Sequence, residues 1–154
     1  MNLEIFSKRL KELMEMEGES NRSLSIKINV DRTCIRYWLN GVYYPKYPAL
    51  IKLSTFFNVS VDYLVGLEDS MDSVPAFQLS QEMSAMEISE NLRGKVTTYM
   101  KEKNLTYYAM SKALNIDQTT FTKWFQNVSI PEVGTLLKLS RVMKVSLYAL
   151  LGGK

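Results

Sequence analysis

The chain carries the same sequence pattern twice. Shifted by 86 positions, Ile5–Gly66 aligns with Asn91–Gly152 without a gap, and 16 of the 62 aligned pairs are identical. The identical pairs include Asn29/Asn115, Asp31/Asp117, Trp38/Trp124 and Pro45/Pro131. Self-similarity at one offset over this length indicates two copies of one structural unit, each small but large enough to fold alone.

Charge separates the two copies from the segment between them. Residues 1–67 carry nine Lys/Arg against seven Asp/Glu, residues 68–90 carry none against six, and residues 91–154 carry ten against three. We therefore predict domains at 1–67 and 88–154 joined by an acidic linker at 68–87. Basic domains attract phosphate polymers.

The linker is open to three interpretations. As a flexible coil, the segment from Glu68 to Glu90 averages about 26 Å end to end and reaches about 75 Å when extended. It is either a solvated tether, a shield for a basic face, or a short helix carrying Leu79, Met83 and Met86 between the copies.

The apolar spacing within each copy is helical. Leu3, Phe6, Leu10 and Leu13 recur at steps of three and four, and Ile88, Leu92, Val96, Tyr99 and Met100 repeat this stripe. No segment alternates as a strand does. The pattern predicts an all-α protein with five helices in each copy.

A three-residue turn precedes the third helix of each copy. Asn29 and Asn115 suit the left-handed conformation that ends a helix, and the aspartate two residues later caps the next one. The turn predicts a helix over Arg32–Asn40 and another over Gln118–Gln126. Further helices are expected at Ala49–Phe57 and Thr135–Met143, with a last short helix in each copy ended by Gly66 or Gly152.

Two stretches of the first copy, SLSIKINVDRTCIRYWLNG and LIKLSTFFNVSVDYLVG, resemble the helix-turn-helix domain of Cro- and lambda-repressor-like regulators, also called the XRE family. The second copy, with AMSKALNIDQTTFTKWFQN and LLKLSRVMKVSLYALLG, is similar. This resemblance implies two tandem five-helix domains that bind double-stranded DNA through the second helix of the motif. It also implies transcriptional control, with repression as the expected outcome.

The first copy supplies most of the candidate DNA contacts. In this motif the recognition helix presents its N-terminal end and exposed face to the major groove. The candidates are Arg32, Thr33, Arg36 and Tyr37 on the helix, with Asn21, Asn40 and Tyr43 nearby. Arg donates two hydrogen bonds to guanine, and Thr offers a hydroxyl and a methyl group. Ile35, Trp38 and Trp124 are expected in the core.

Some residues near this face have two interpretations. Arg32 and Arg36 alternatively form an ordinary solvated surface. Tyr43 and Tyr44 either offer hydrogen bonds to phosphate or form a dimer patch together with Tyr47. Cys34 is either a small filler or a redox switch.

The second copy departs from the family pattern. Its recognition face reads Gln118, Thr119, Thr122 and Lys123, with one cation where the first copy has two. Tyr107 and Tyr108 replace the small polar residues expected at the start of the preceding helix. Much of its net charge lies on its first helix, at Arg93, Lys95, Lys101 and Lys103. We expect bulk charge to support nonspecific affinity and the recognition face to set specificity.

Composition excludes several other classes of protein. The chain has no histidine and one cysteine, Cys34, which removes Ser-His and Cys-His nucleophile pairs, most zinc sites and an intrachain disulfide. No uncharged run exceeds nine residues, and no secretory signal is seen. We therefore expect a cytoplasmic non-enzyme without membrane association, cofactor or metal.

The alternative function is a protein-interaction adaptor, or an antitoxin-like module, whose helix-turn-helix has weakened DNA reading. The weak second recognition face and the tyrosine clusters motivate it. The chain is expected either to be a homodimer or to read two half-sites as a monomer.

Overall fold

The computed structural model describes residues 2–71, 85–126 and 131–151, which form ten α-helices and no strand. The chain divides into two compact units, Met1–Gln81 (unit 1) and Glu82–Lys154 (unit 2). The described helices of unit 1 are α1 (Asn2–Glu17), α2 (Asn21–Ile28), α3 (Arg32–Leu39), α4 (Tyr47–Phe57) and α5 (Val61–Val65). Those of unit 2 are α6 (Ala85–Lys103), α7 (Tyr107–Leu114), α8 (Gln118–Gln126), α9 (Val133–Met143) and α10 (Leu147–Leu150). The all-α prediction is confirmed for the described residues.

The apolar stripe of α1 forms the centre of unit 1. Phe6, Leu10 and Leu13 are buried, whereas Leu3 at the end of the stripe is half-buried. Helix α1 packs against α3 and α5, and α2 packs against α3 and α4. Helix α3 therefore lies with one side on α1 and α2, which leaves its other side free for solvent.

Matching residues of the two units cap their helices in the same way. The Ser20 and Thr106 hydroxyls accept hydrogen bonds from backbone amides three residues on, at the starts of α2 and α7. Asn29 and Asn115, both with φ 56°, end the same helices in the left-handed region. Ser54 donates to the Val59 carbonyl at 2.6 Å, and Ser140 donates to Val145 at 2.5 Å. Local geometry thus repeats at the offset of the sequence repeat.

A cation on the first helix of each unit binds the last helix. Arg9 donates to the carbonyls of Tyr63 and Glu68, and its guanidinium carbon lies 4.1 Å from the centre of the Tyr63 ring. Lys95, 86 positions on, donates to the carbonyl of Ala149. Burial lowers the pKa of Lys95. Both cations therefore serve packing within their own unit.

Several helix ends differ from the sequence prediction. Helix α3 ends at Leu39, and Asn40 is its C-terminal cap. Helix α4 begins at Tyr47 rather than Ala49, because Pro48 fits the first turn, where its missing N–H has no partner to lose. Helix α9 begins at Val133, two residues before the expected Thr135.

The predicted linker also differs at both ends. Helix α6 begins at Ala85, inside the range predicted as linker. At the other end, Arg9 hydrogen-bonds the Glu68 carbonyl at 2.8 Å and lies 3.6 Å from the Asp69 carboxylate. The described residues do not include Leu79 or Met83 of the proposed linker helix, or the side chain of Met86. Gly152, the predicted end of the last helix, also lies outside them.

Glu19 gives unit 1 a pH-dependent contact. Its carboxylate lies 2.5 Å from the Lys27 ammonium and accepts a 2.5 Å hydrogen bond from the Ser23 hydroxyl. The bond to Lys27, and then that to Ser23, lower the pKa of Glu19 from its ordinary 4.5. A lowered folded-state pKa stabilises the fold above pH 4.5, and this contribution is lost as the pH falls through the folded value.

We therefore expect the stability of unit 1 to fall less steeply below pH 4.5 in Glu19→Gln than in the native chain. Urea unfolding at several pH values, followed by Trp38 fluorescence in a Trp124→Phe background, measures the difference. Glu15→Gln is the matched control, since Glu15 is exposed and its side chain has no bonding partner among the described residues. Parallel curves for Glu19→Gln and the native chain would contradict the expectation.

Candidate nucleic-acid interface

The turn between α2 and α3 fixes how α3 begins. The amides of Asn29 and Val30 both donate to the Ser25 carbonyl, and Asn29 takes the left-handed conformation. The Asp31 carboxylate then accepts a 2.7 Å hydrogen bond from the Thr33 amide. This backbone bond, more than any other contact, lowers the pKa of Asp31. The cap is therefore formed at neutral pH, and it sets the first turn of α3.

Helix α3 has one buried and one exposed side, as the sequence predicts. Ile35 and Trp38 are buried. Arg32, Thr33 and Arg36 are exposed. Among residues 2–71, 85–126 and 131–151, neither arginine forms an ion pair with a carboxylate. The exposed side thus carries two cations that are not paired with a carboxylate of the described residues.

Two tyrosines and an arginine form a cluster beside this exposed side. The rings of Tyr37 and Tyr43 lie 5.5 Å apart, at 60° to each other. The Arg36 guanidinium carbon lies 5.6 Å from the centre of the Tyr37 ring. Loss of solvation, followed by its interaction with Cys34, raises the pKa of Tyr43. We name Arg36, Tyr37 and Tyr43 the arginine–tyrosine cluster. The sequence pattern identified all three residues as candidates but did not predict that they contact one another.

The three loop tyrosines do not share one exposed patch. Tyr43 is 42% exposed, but Tyr44 and Tyr47 are half-buried. The Tyr44 ring lies 5.9 Å from the ring of Phe6 in the core. Tyr44 therefore turns toward α1, away from the surface on which Tyr43 is exposed, and the dimer patch stays a prediction.

The remaining candidates of unit 1 flank α3. Asn40 is exposed and caps the helix, and its backbone amide donates to the Arg36 carbonyl at 3.0 Å. Asn21 is half-buried in the first turn of α2. Cys34 is a half-buried free thiol on α3. The candidates of unit 1 thus lie on α3, on its C-terminal flank and at the start of the neighbouring helix.

The corresponding side of α8 is only partly exposed. Gln118, Thr119 and Lys123 are exposed, whereas Thr122 is half-buried, so its expected place on the exposed face is wrong in part. Phe125, which stands where unit 1 has Leu39, is buried three residues after Thr122.

An aromatic cluster joins the buried side of α8 to the start of α7. The Tyr107 ring lies 5.7 Å from Phe121 and 5.3 Å from Phe125, and Trp124 lies 5.5 Å from Phe121. Tyr107 thus turns into the unit from a position where unit 1 has Asn21. Tyr108 is instead exposed, with the Lys112 ammonium 5.1 Å from its ring centre. The two tyrosines that break the family pattern therefore have different roles.

The cations of α6 are not all part of an open basic surface. The Arg93 guanidinium lies 5.9 Å from the centre of the Phe125 ring, and Lys95 binds the Ala149 carbonyl. Lys101 and Lys103 are exposed. Two of the four cations counted from the sequence therefore contribute to packing.

Comparison with known proteins points to unit 2. Residues 97–150 match the family model described as helix-turn-helix. This range runs from the second half of α6 to the end of α10. No curated protein and no solved structure matches the chain significantly.

No described helix is both long enough and apolar enough to cross a membrane. The described residues contain no group of three or more cysteine or acidic side chains suited to a metal ion.

Proposed function

We propose that the chain is a sequence-specific DNA-binding transcription regulator, acting as a repressor, whose helix α3 enters the major groove. The observation that carries the proposal is the exposed side of α3. Arg32, Thr33 and Arg36 follow a capped three-residue turn, and neither arginine pairs with a carboxylate among the described residues. In helix-turn-helix proteins this end of the second helix meets the base edges.

Unit 1 and unit 2 are, on this proposal, two tandem lambda-repressor-like domains of five helices each. The family match supports this for unit 2. For unit 1 the support is the repeated geometry: matching left-handed caps at Asn29 and Asn115, and matching cation contacts from Arg9 and Lys95. Domain boundaries near 1–67 and 88–154 remain part of the proposal, with α6 beginning at Ala85.

The proposed contacts divide into base reading and phosphate binding. Arg32 and Arg36 pair with O6 and N7 of guanine, and Thr33 contacts the methyl group of thymine. Asn21 and Asn40 flank α3, where amide groups position the protein on phosphates. Tyr43 lies beside α3, with its ring against Tyr37.

Unit 2 has an auxiliary role. Gln118 pairs with adenine, and Lys123 binds guanine or a phosphate. Thr119 and the half-buried Thr122 complete its face, which offers fewer charged donors than α3. The protein binds either as a homodimer or as a monomer whose two units read two half-sites.

Replacing Arg36 with Ala tests the base-reading role. We expect a loss of about 1–3 kcal/mol on the preferred duplex, together with relaxed preference at one base pair. Arg32→Ala is expected to act in the same way at a different base pair. Bound duplexes selected from a random pool define the preferred site, and titration of each variant gives its affinity.

Lys11→Ala is the matched control, since Lys11 is an exposed cation on α1. It is expected to leave the base preference unchanged. A loss that is equal on all sequences for both arginine variants would instead assign Arg32 and Arg36 to phosphates.

The adaptor alternative is favoured by one feature of unit 2. Its α8 face carries one cation, while Tyr108 is exposed on α7. Salt dependence separates the two functions. For a DNA binder, the logarithm of the binding constant falls with the logarithm of salt concentration, with a slope of about −0.9 per phosphate contact. An adaptor shows no preferred duplex at any salt concentration.

A further inference from the structure

The segment after α3 folds back along the helix. The Gly41 amide donates to the Trp38 carbonyl at 3.2 Å, and the Val42 amide donates to Tyr37 at 3.0 Å. Gly41 has φ 70°, a conformation that glycine adopts without strain. These backbone bonds return the chain toward Tyr37, and Tyr43 follows directly. The main chain therefore brings Tyr43 beside α3, where its side chain meets the Tyr37 ring and interacts with Cys34.

A side chain of α1 binds the same end of α3. The Ser7 hydroxyl donates a buried 2.6 Å hydrogen bond to the Trp38 carbonyl. Trp38 and Ile35 are buried on the opposite side of the helix. The end of α3 is thus tied to α1, and the returning segment is tied in turn to that end of α3.

The arginine–tyrosine cluster links this segment to a proposed base-reading group. Tyr43 and Tyr37 form an edge-to-face ring pair, and the Arg36 guanidinium approaches the same Tyr37 ring. Cations are attracted to ring faces, and aromatic pairs favour edge-to-face contacts. An exposed arginine otherwise samples many rotamers, which must be restricted before two hydrogen bonds to one base can form.

Unit 2 lacks every member of this cluster. The residues 86 positions on from Arg36, Tyr37 and Tyr43 are Thr122, Lys123 and Ser129, of which Ser129 lies outside the described residues. The device thus belongs to unit 1, the unit with the more cationic recognition face.

We infer that Tyr43 is a positioning residue: it supports the Tyr37 ring, and through that ring the Arg36 guanidinium, and so sharpens sequence preference at the base pair that Arg36 reads. This inference rests on the proposed function. It differs from a phosphate contact, because the aromatic ring of Tyr43 acts rather than its hydroxyl, and the effect falls on one base pair.

The test measures base preference, using the full chain and duplexes that differ from the preferred site at one base pair each. Arg36→Ala first identifies the base pair that depends on Arg36. We expect Tyr43→Ala to reduce discrimination at that base pair at least about threefold and to leave other positions unchanged. Tyr43→Phe keeps the ring and is expected to retain discrimination.

Two further variants sharpen the result. Tyr108→Ala removes a tyrosine of unit 2 that is also exposed and also contacts a cation, and it is expected to leave discrimination at that base pair unchanged. In the double variant, Tyr43→Ala is expected to add no further loss of discrimination once Arg36→Ala is present.

A measurement without DNA covers the case in which Tyr43→Ala fails to fold. The side-chain protons of Arg36 near the Tyr37 ring are expected to show an upfield ring-current shift in the native chain and in Tyr43→Phe. In Tyr43→Leu, which keeps apolar bulk, we expect that shift to shrink. Unchanged Arg36 proton shifts in Tyr43→Leu would overturn the inference.

The binding outcomes separate this inference from the proposed function. If Arg36→Ala relaxes one base pair but Tyr43→Ala does not, the positioning role is wrong and DNA reading by α3 stands. An equal loss on all duplexes for Tyr43→Phe and Tyr43→Ala assigns the hydroxyl to a phosphate and also overturns the inference. If the native chain prefers no duplex, the proposed function itself fails.

Discussion

A duplex with two half-sites one helical turn apart is expected to bind the chain about 10²–10⁴-fold more tightly than a duplex with one half-site scrambled. Once one unit is bound, the second contact becomes intramolecular and proceeds at a high effective concentration. Titration of both duplexes at one salt concentration measures the ratio.

The covalent connection is long enough for this arrangement. Arg9 contacts Glu68 and Asp69, and α6 begins at Ala85, so residues 70–84 connect the last contact of Arg9 to the first helix of unit 2. Fifteen residues span at most about 50 Å, whereas adjacent half-sites lie roughly 34–36 Å apart. The contour length therefore permits both units to bind the same side of one duplex.

Half-site spacing supplies the control for this prediction. Five extra base pairs, about half a helical turn, move the second half-site to the opposite side of the duplex, and the gain in affinity is expected to shrink. The mass of the complex distinguishes one chain per duplex from a homodimer. Equal affinities for the intact and scrambled duplexes would show that unit 2 adds no half-site contact.

Phe121→Ala is expected to lower the free energy of unfolding of unit 2 by about 3–5 kcal/mol. Phe121 is fully buried, and its ring contacts Tyr107, Trp124 and Phe125 at centroid distances of 5.7, 5.5 and 5.6 Å. A domain of this size is stable by only about 4–10 kcal/mol, so the loss removes most of its stability.

The two tryptophans allow each unit to be followed separately. The chain has one tryptophan in each unit, Trp38 and Trp124. Urea unfolding of Phe121→Ala in a Trp38→Phe background reports on unit 2, and a Trp124→Phe background reports on unit 1. Thr119→Ala, an exposed change on the same helix, is expected to alter stability by less than about 0.5 kcal/mol. A loss below about 1 kcal/mol in Phe121→Ala would contradict the role assigned to the aromatic cluster.

Features that depend on neighbouring residues were predictable from the sequence. The start of α3 at Arg32, its cap at Asp31 and the left-handed Asn29 all follow from residue types within one turn of each other. Buried Trp38 follows from its spacing to Ile35. These expectations held because capping and helical periodicity require no knowledge of distant parts of the chain.

Features that depend on side-chain competition for one space were not predictable. Adjacent tyrosines diverge, with Tyr43 against Tyr37 on the outside and Tyr44 against Phe6 in the core. Thr122 was expected to be exposed but is half-buried. Sequence spacing gives the direction of a side chain on its helix, but the packing of the whole unit decides how far that side chain stays exposed.

By itself, the sequence determined the repeated motif, the helices and the turn before α3, since such motifs and short-range hydrogen bonds depend on residues close together in the chain. Only the tertiary structure decided which of two adjacent tyrosines faces outward and which cations of the first helices pack within their unit. Arg9 meets Tyr63, Lys95 meets Ala149 and Ser7 meets Trp38 across separations of 54, 54 and 31 residues. Such pairs depend on how helices pack around a shared core, and packing is a property of the whole unit rather than of any one segment.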